Sequence, residues 1–221
     1  MKRELLKALG VVIVLGGLGA GAGFAMQGAK VTPAAIQSSV TRIPEVLDRA
    51  WALPAAAAFG RKLDFQTNGS YCGPSSLANA FRSLGEPAIT EAAVLQDTGK
   101  CRAGMCFMGL TLDELADIAR AKTSRSVTVL RDLTPETFRE HLRKSNDASR
   151  RYVVNFTRKE IFGGGGGHHS PIGGYLEDED LVFVLDTNSD YGGPWLVKSA
   201  RLFAAIDTLD GEKKRGLLLI E

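Results

Sequence analysis

The chain has 221 residues, of which 44% are apolar and 24% charged, enough for one globular domain with a sizeable core. Its 27 Lys and Arg residues are nearly balanced by 25 Asp and Glu residues. No basic stripe runs along the sequence, so nucleic acid is excluded as the main partner, because binding to phosphates needs clustered cations.

Residues 1–25 predict an export signal. Lys2, Arg3 and Lys7 precede an uncharged run at 8–25 that ends in the small-x-small pattern Gly-Phe-Ala. The run has 18 residues, so it fits a retained membrane anchor as well as a cleaved signal. We therefore expect an exported bacterial protein that is periplasmic or attached through residues 8–25 to the outer face of the inner membrane.

Residues 26–60 are rich in Ala and Pro. This composition predicts an extended linker with one short helix around 44–52. The catalytic domain is predicted to cover residues 61–221.

A helix is predicted directly after Cys72. Apolar residues recur at helical spacing over 73–84, Pro74 lies in the first turn, and Gly85 follows as a stop signal. The cysteine therefore stands at a helix N-terminus, where unpaired amides and the helix dipole favour a thiolate. An isolated cysteine is more often a small buried apolar residue, so this position alone does not establish catalysis.

Further elements follow in chain order. Helices are predicted at 91–96, from Thr111, whose capping box is completed by Glu114, and from Thr134, and a strand is predicted at 127–130. The second half changes to short β-rich runs separated by Gly and acidic turns, with one helix at 200–209. The fold class is therefore α+β, with an N-terminal helical lobe packed on a C-terminal antiparallel sheet.

Three cysteines leave at least one thiol unpaired. Cys101 and Cys106 lie five residues apart, which suits a small disulfide loop or a thiolate pair for a soft metal. Only two ligands are available there, so a disulfide or free thiols are favoured over a metal site. Cys72 is the thiol left over.

A base for Cys72 is predicted on a hairpin in the second half. His168 follows five glycines at the start of one strand, Asp186 ends the next strand, and an acidic turn separates the strands. The carboxylate would orient the imidazole, which would take the proton of Cys72 and later protonate the leaving group.

His169 competes with His168. Neighbouring side chains on a strand point to opposite faces, so only one of the two histidines is expected to face Cys72. Gln66 is the candidate amide donor to an oxyanion beside the cysteine. The order Gln66, Cys72, His168, Asp186 matches the arrangement of papain-like cysteine enzymes, so we expect a papain-like fold.

Three motifs make a family resemblance more specific. The segments "QTNGSYCG", "FREHLRK" and "HHSPIGGY", the last followed by "VFVLD", resemble phytochelatin synthases, which are papain-like glutathione γ-glutamylcysteinyltransferases. The resemblance covers about residues 63–206 and implies a triad of Cys72, His168 and Asp186, with Gln66 at the oxyanion. It therefore selects His168 over His169.

The resemblance also implies an activity. Cys72 would attack the Cys-Gly bond of glutathione, expel glycine and hold γ-Glu-Cys as a thioester. Water would release γ-Glu-Cys, and a second glutathione would give a phytochelatin in a heavy-metal response. Arg158, Gly73 and Ser170 are the substrate-binding candidates. No cofactor is expected to bind tightly and no residue is assigned to metal, with Cd or Zn entering as a glutathione thiolate or an activating ion.

One departure and two rival functions complete the predictions. The family pattern D-V-A-R is replaced by Asp-Thr-Asn-Ser at 186–189, which favours hydrolysis over chain extension because an arginine associated with the second substrate is absent. The motif around Cys72 also resembles papain-like peptidases that cut double-glycine leaders. The other rival is a non-catalytic exported module that binds metals or thiols.

Overall fold

The computed structural model describes residues 31–101, 105–106 and 109–221. Its strands are β1 (Val127–Leu130), β2 (Arg151–Thr157), β3 (Gly167–Leu176), β4 (Leu181–Val184), β5 (Trp195–Lys198), β6 (Leu209–Asp210), β7 (Lys213–Lys214) and β8 (Gly216–Ile220). Six of them form one antiparallel sheet in the order β1-β8-β2-β3-β4-β5, and β6 and β7 form a separate hairpin.

The helices in the described residues cover both faces of this sheet. They are α1 (Pro33–Ser39), α2 (Pro44–Trp51), α3 (Pro54–Ala57), α4 (Cys72–Leu84), α5 (Glu91–Leu95), α6 (Leu112–Lys122), α7 (Pro135–Lys144), α8 (Arg158–Phe162) and α9 (Ser199–Ile206). Helices α4 and α6 pack on one face through a core that includes Val153 and Leu218. Helices α7, α8 and α9 pack on the other face around Phe156 and Trp195.

This architecture confirms the predicted α+β class. The alternation of the strand side chains separates the two cores, because Val153 belongs to one cluster and its neighbour Val154 to the other. The predicted strand at 127–130 and the hairpin of β3 and β4 are both present. The capping box of Thr111 and Glu114 starts α6.

The region at 31–60 contains the short helix predicted around 44–52, as α2, but it is a packed helical segment rather than an extended linker. Pro33, Pro44 and Pro54 each open a helix, since proline suits the first helical turn. Ala50 and Phe59 are buried against the β4 and β5 side of the sheet, where Phe183, Leu185 and Leu196 complete a third core cluster. The composition that suggested a linker therefore encodes short helices that are part of the packed domain.

The predicted export signal at 1–25 and the first residues of the predicted linker, 26–30, lie outside the described residues. Over the part of the chain that is described, no helix is both long enough and apolar enough to cross a membrane. Cys101 and Cys106 form a disulfide, and Cys72 is the free cysteine.

Candidate active site

Cys72 is the first residue of α4 and is 7% exposed. No side chain caps this helix end; Pro74 has no N–H and the Ser75 amide donates to the Tyr71 carbonyl, which leaves the amides of Cys72 and Gly73 near the sulfur. Gly73 brings the helix close to its neighbours, since a Cβ there would lie 3.0 Å from Leu115 Cδ1. The helix ends at Gly85, whose left-handed φ of 75° suits glycine.

An irregular hairpin brings His168 and Asp186 together. The register of β3 and β4 shifts between Ile172 and Gly174, and the Leu185 amide then donates to the Pro171 carbonyl. Beyond this point Asp186 Oδ1 lies 3.0 Å from His168 Nε2. The contact is an ion pair when the imidazole is protonated.

Asp186 is completely buried and is surrounded by donors. Arg158 donates to both carboxylate oxygens at 2.8 Å, Trp195 Nε1 donates to Oδ2 at 2.9 Å, and the Asn188 amide donates to Oδ1 at 2.9 Å. Burial alone would raise the pKa of Asp186. The charges of Arg158 and His168 lower it by more than burial raises it, so the net pKa lies well below the ordinary 3.8. The carboxylate is therefore a fixed negative charge beside His168.

Both histidines interact with Cys72, which differs from the expectation that only one would. His169 Nδ1 lies 3.8 Å from Cys72 Sγ. Burial alone would raise the pKa of the Cys72 thiol. Hydrogen bonds with His168 and His169 and the charges of both rings lower it by more than burial raises it, so the net pKa is well below the ordinary 9.0. The alternation rule therefore does not select one of the two histidines as the partner of Cys72.

The pKa of His168 is raised. Burial and the charge of Arg158 lower it, whereas the charge of Asp186 and the contacts with Asp186 and Cys72 raise it, and the net lies above the ordinary 6.5. Phe156 packs edge-on against the ring, with 5.5 Å between the ring centroids. The lowered pKa of Cys72 and the raised pKa of His168 together favour a thiolate–imidazolium pair.

Gln66 lies in the loop before α4, and its backbone amide donates to the Thr187 carbonyl at 2.8 Å. This bond ties the loop to the end of the strand that carries Asp186. One side-chain N–H of Gln66 donates to the Asn68 carbonyl at 2.9 Å, which leaves the second N–H of the amide for an oxyanion.

None of the three residues predicted to bind substrate has a side chain that is open to a ligand. Arg158 is 3% exposed, and Asp186 uses both of its terminal nitrogens, so this cation is engaged inside the domain rather than facing a substrate. Ser170 is fully buried on β3, with no partner for its hydroxyl in the described residues. Gly73 lies beside Cys72 and has a packing reason of its own, the contact with Leu115.

Arg215 is a site residue that the sequence prediction missed. Its guanidinium lies over Gly167, where a Cβ would be 2.6 Å from Nη1, and its pKa is lowered by burial and raised by Asp210 and by the charge of Cys72. It donates to Asn155 Oδ1 at 2.7 Å and pairs with Asp210 at 3.1 Å. A signal was present in the sequence, because Asn155 interrupts the run of apolar residues between Tyr152 and Phe156.

His141, expected on an exposed helix face, is half-buried and lies 3.1 Å from the Tyr152 hydroxyl.

Within the ranges that the structure describes, no group of three or more His, Cys, Asp or Glu side chains could hold a metal ion. The site is built around one thiol, two imidazoles and one carboxylate, with Arg215 over Gly167 beside His168.

The comparisons with known proteins agree with the family resemblance of the sequence motifs around Cys72 and His168. The sequence model of a family described as "Phytochelatin synthase" matches residues 26–217. A "Glutathione gamma-glutamylcysteinyltransferase 3" of Lotus japonicus is 30% identical over 117 residues, 51% of this chain and 24% of that protein. A "Glutathione gamma-glutamylcysteinyltransferase 1" of Arabidopsis thaliana is 31% identical over 90 residues, 39% of this chain and 19% of that protein. Each match thus spans a quarter or less of the relative.

A solved structure supports the fold. A C39-like peptidase from Bacillus anthracis has a TM-score of 0.53 at 14% identity, with 74% of this chain and 96% of that chain covered. At this identity the similarity shows the fold alone. The papain-like α+β fold predicted from the order of the four polar residues is confirmed.

Proposed function

Because the chain belongs to the phytochelatin synthase family, we propose that it is a thiol acyltransferase or hydrolase that acts on glutathione and uses Cys72 as its nucleophile. The observation that carries this proposal is the position of the Cys72 sulfur. It lies at an uncapped helix end, 3.8 Å from His169 Nδ1, and His168, which lies 3.0 Å from Asp186, lowers the pKa of the thiol.

The first half of the reaction forms a thioester. The Cys72 thiolate attacks the carbonyl carbon of the Cys-Gly bond, and the oxyanion is stabilised by the Cys72 amide and the Gln66 side chain. His168 then gives its proton to the glycine nitrogen, the C–N bond breaks, and γ-Glu-Cys stays on the sulfur. Asp186 keeps its negative charge throughout and stabilises the imidazolium.

A cation on the active-site face suits a substrate with carboxylates. Arg215, whose guanidinium lies over Gly167 next to His168, is the candidate in place of Arg158: both arginines are ion-paired, but the side chain of Arg215 is 10% exposed while that of Arg158 is 4% exposed. The charge of Cys72 also acts on the Arg215 guanidinium. Bidentate recognition by arginine suits a carboxylate of glutathione.

The second half of the reaction releases the acyl group. Water gives γ-Glu-Cys, and a second glutathione, free or as a Cd or Zn thiolate, gives a phytochelatin. The arginine of the family pattern is replaced by Ser189, so we propose that hydrolysis dominates. Metal enters this scheme as part of the acceptor substrate or as an activating ion in a heavy-metal response.

Export is part of the same proposal. The charged flank and apolar run of residues 1–25 direct the chain out of the cytoplasm, with 8–25 either cleaved off or retained in the inner membrane. The disulfide of Cys101 and Cys106 suits an oxidising compartment. Fractionation of expressing cells tests this step, and recovery of the protein in the cytoplasm with residues 1–25 intact would contradict it.

The activity is tested by mixing the full chain with glutathione, with and without cadmium, and measuring glycine, γ-Glu-Cys and phytochelatin. We expect glycine and γ-Glu-Cys in nearly equal amounts, little phytochelatin, and no product from the Cys72→Ala variant. Bound cadmium without glycine would instead indicate a metal-binding module. Cleavage of a double-glycine leader peptide without glycine release from glutathione would indicate the peptidase.

A further inference from the structure

The disulfide of Cys101 and Cys106 lies against the turn that leads into the nucleophile. Cys106 is 3% exposed, and its backbone amide donates at 3.1 Å to the hydroxyl of Ser70, two residues before Cys72. We propose that this disulfide positions the oxyanion-binding amide of Gln66, so that the chain is active when the disulfide is formed and weakly active when it is reduced. This inference rests on the proposed function and adds a redox control to its acylation step.

A chain of hydrogen bonds connects Cys106 with the Gln66 side chain. The Ser70 hydroxyl accepts from the Cys106 amide and donates its own proton to Asn68 Oδ1 at 2.7 Å, and the Ser70 amide donates to the same oxygen at 3.0 Å. The Asn68 carbonyl in turn accepts from Gln66 Nε2 at 2.9 Å and from the Tyr71 amide at 3.2 Å. The orientation of the Gln66 amide therefore depends on a turn that Cys106 contacts from another segment of the chain.

Helix α5 provides a second attachment for the same turn. The Thr67 amide and hydroxyl both donate to the carboxylate of Glu91, the first residue of α5, at 3.1 and 2.5 Å. Reduction leaves these bonds in place, but it releases Cys106 from Cys101 and so gives the segment that contacts Ser70 more conformational freedom. Because one attachment remains, the reduced chain should stay folded while the oxyanion amide loses its fixed orientation.

The two sulfurs of the disulfide differ in their access to a reductant. Cys101 is partly exposed, whereas Cys106 is buried among the apolar residues that pack α4 on α6. A thiolate therefore attacks Cys101 Sγ, the S–S bond breaks, and Cys106 leaves as a thiolate that takes a proton. A second thiolate then attacks the mixed disulfide on Cys101, which gives two protein thiols and the disulfide of the reductant.

The consequence concerns the compartment in which the chain works. Glutathione supplies the reducing thiols in a cytoplasm, and an oxidising compartment reverses the exchange. A chain that consumes glutathione would thus be held at low activity until it has been exported.

The test compares the oxidised and the reduced wild-type chain in the first turnover. Tris(2-carboxyethyl)phosphine reduces the disulfide, takes up the oxygen of one water, and is removed before mixing. Rapid mixing with glutathione then measures the glycine burst, the glycine released as Cys72 is acylated, before slower exchange with glutathione alters the disulfide. A single oxyanion donor contributes about 10²–10³-fold to a rate, so the loss of its orientation should slow the burst on the order of tenfold.

Three variants show whether the effect acts through the oxyanion amide. In Gln66→Ala, which lacks this amide, reduction should change the burst rate by less than about twofold, because both changes act on one group. Ser70→Ala should slow the oxidised chain nearly to the rate of reduced wild type and abolish the response to the phosphine. Ser149→Ala is the matched control, because the amide and hydroxyl of Ser149 make the same two bonds to Asp147 Oδ1 at an exposed turn, and it should behave as wild type.

Alkylation of Cys72 across pH distinguishes positioning from unfolding. Its profile should be the same in the oxidised and reduced chains, because His168 and His169, rather than the turn, stabilise the thiolate. A burst that reduction does not slow, an equal response in Gln66→Ala, a comparable loss in Ser149→Ala, or a shifted alkylation profile overturns the role of the disulfide and leaves the proposed function in place. An oxidised wild-type chain that releases no glycine overturns the proposed function and this inference together.

Discussion

The two sides of strand β3 carry neighbouring histidines in opposite chemical settings. On one side His168 lies against Asp186, whose carboxylate is held by Arg158 and Trp195. On the other side His169 contacts Cys72, and Arg215 lies over Gly167 on the same face. Identical side chains one residue apart are thus distinguished by what each face of the strand packs against, a buried carboxylate for His168 and the helix of the nucleophile for His169.

The largest expected effect comes from replacing His168, the histidine that lies against Asp186. His168→Asn should reduce the glycine burst on the order of 10⁴-fold, because the thiolate loses its charged partner and the leaving amine loses its acid. Rapid-quench measurement of the burst, next to His169→Asn, checks this. A comparable loss of the burst in the two variants would contradict the assignment of His168, rather than His169, to the triad.

Asp186→Asn should lower the glycine burst by about 10²–10⁴-fold, because the imidazole loses the group that orients and charges it. The negative charge of Asp186 raises the pKa of His168, so its removal should also move the alkaline limb of the pH–rate profile to lower pH. The acidic limb depends on the pKa of Cys72 and should move less. A profile measured across both limbs would refute this assignment if the alkaline limb stayed in place.

Arg158→Met tests whether this arginine serves the fold rather than the substrate. The substitution leaves a buried carboxylate without its cation, so the free energy of unfolding should fall by about 3–5 kcal/mol. Urea denaturation measures this. Arg143→Met, which breaks an exposed ion pair with Glu177, is the matched control and should be close to wild type. A stable Arg158→Met protein with a raised KM for glutathione would support a substrate role instead.

Ser76→Ala gives the smallest expected effect, on the side of His169. Loss of its hydrogen bond to the His169 carbonyl should reduce the free energy of unfolding by about 1 kcal/mol. The glycine burst should stay close to that of wild type, because the bond reaches the backbone of His169 and no triad side chain. A large loss of the burst with unchanged stability would contradict this assignment.

Local signals in the sequence predicted much of this site. The start of α4 at Cys72 and the hairpin of His168 and Asp186 follow from turn residues, periodicity and strand pairing. The roles of Arg158 and Arg215 could not be obtained this way. Arg158 meets Asp186 across 28 positions of sequence, and Arg215 meets Asn155 across 60, so their partners depend on the order of strands in the sheet.

Two further differences have similar causes. The helices at 31–60 depend on a proline at each helix start and on apolar contacts with β4 and β5, which composition alone does not reveal. The double contact of Cys72 with His168 and His169 depends on where the helix end meets the strand. Strand alternation predicts the directions of the two side chains but not the position of the sulfur between them.

Titration of Cys72, the free thiol of the chain, tests the central claim most directly. The rate of its alkylation should follow a thiolate that persists well below pH 9.0, the ordinary pKa of the group, and the midpoint should rise in His168→Asn. A wild-type thiol that titrates near or above 9.0 would contradict the account, because Cys72 would then be an ordinary buried cysteine.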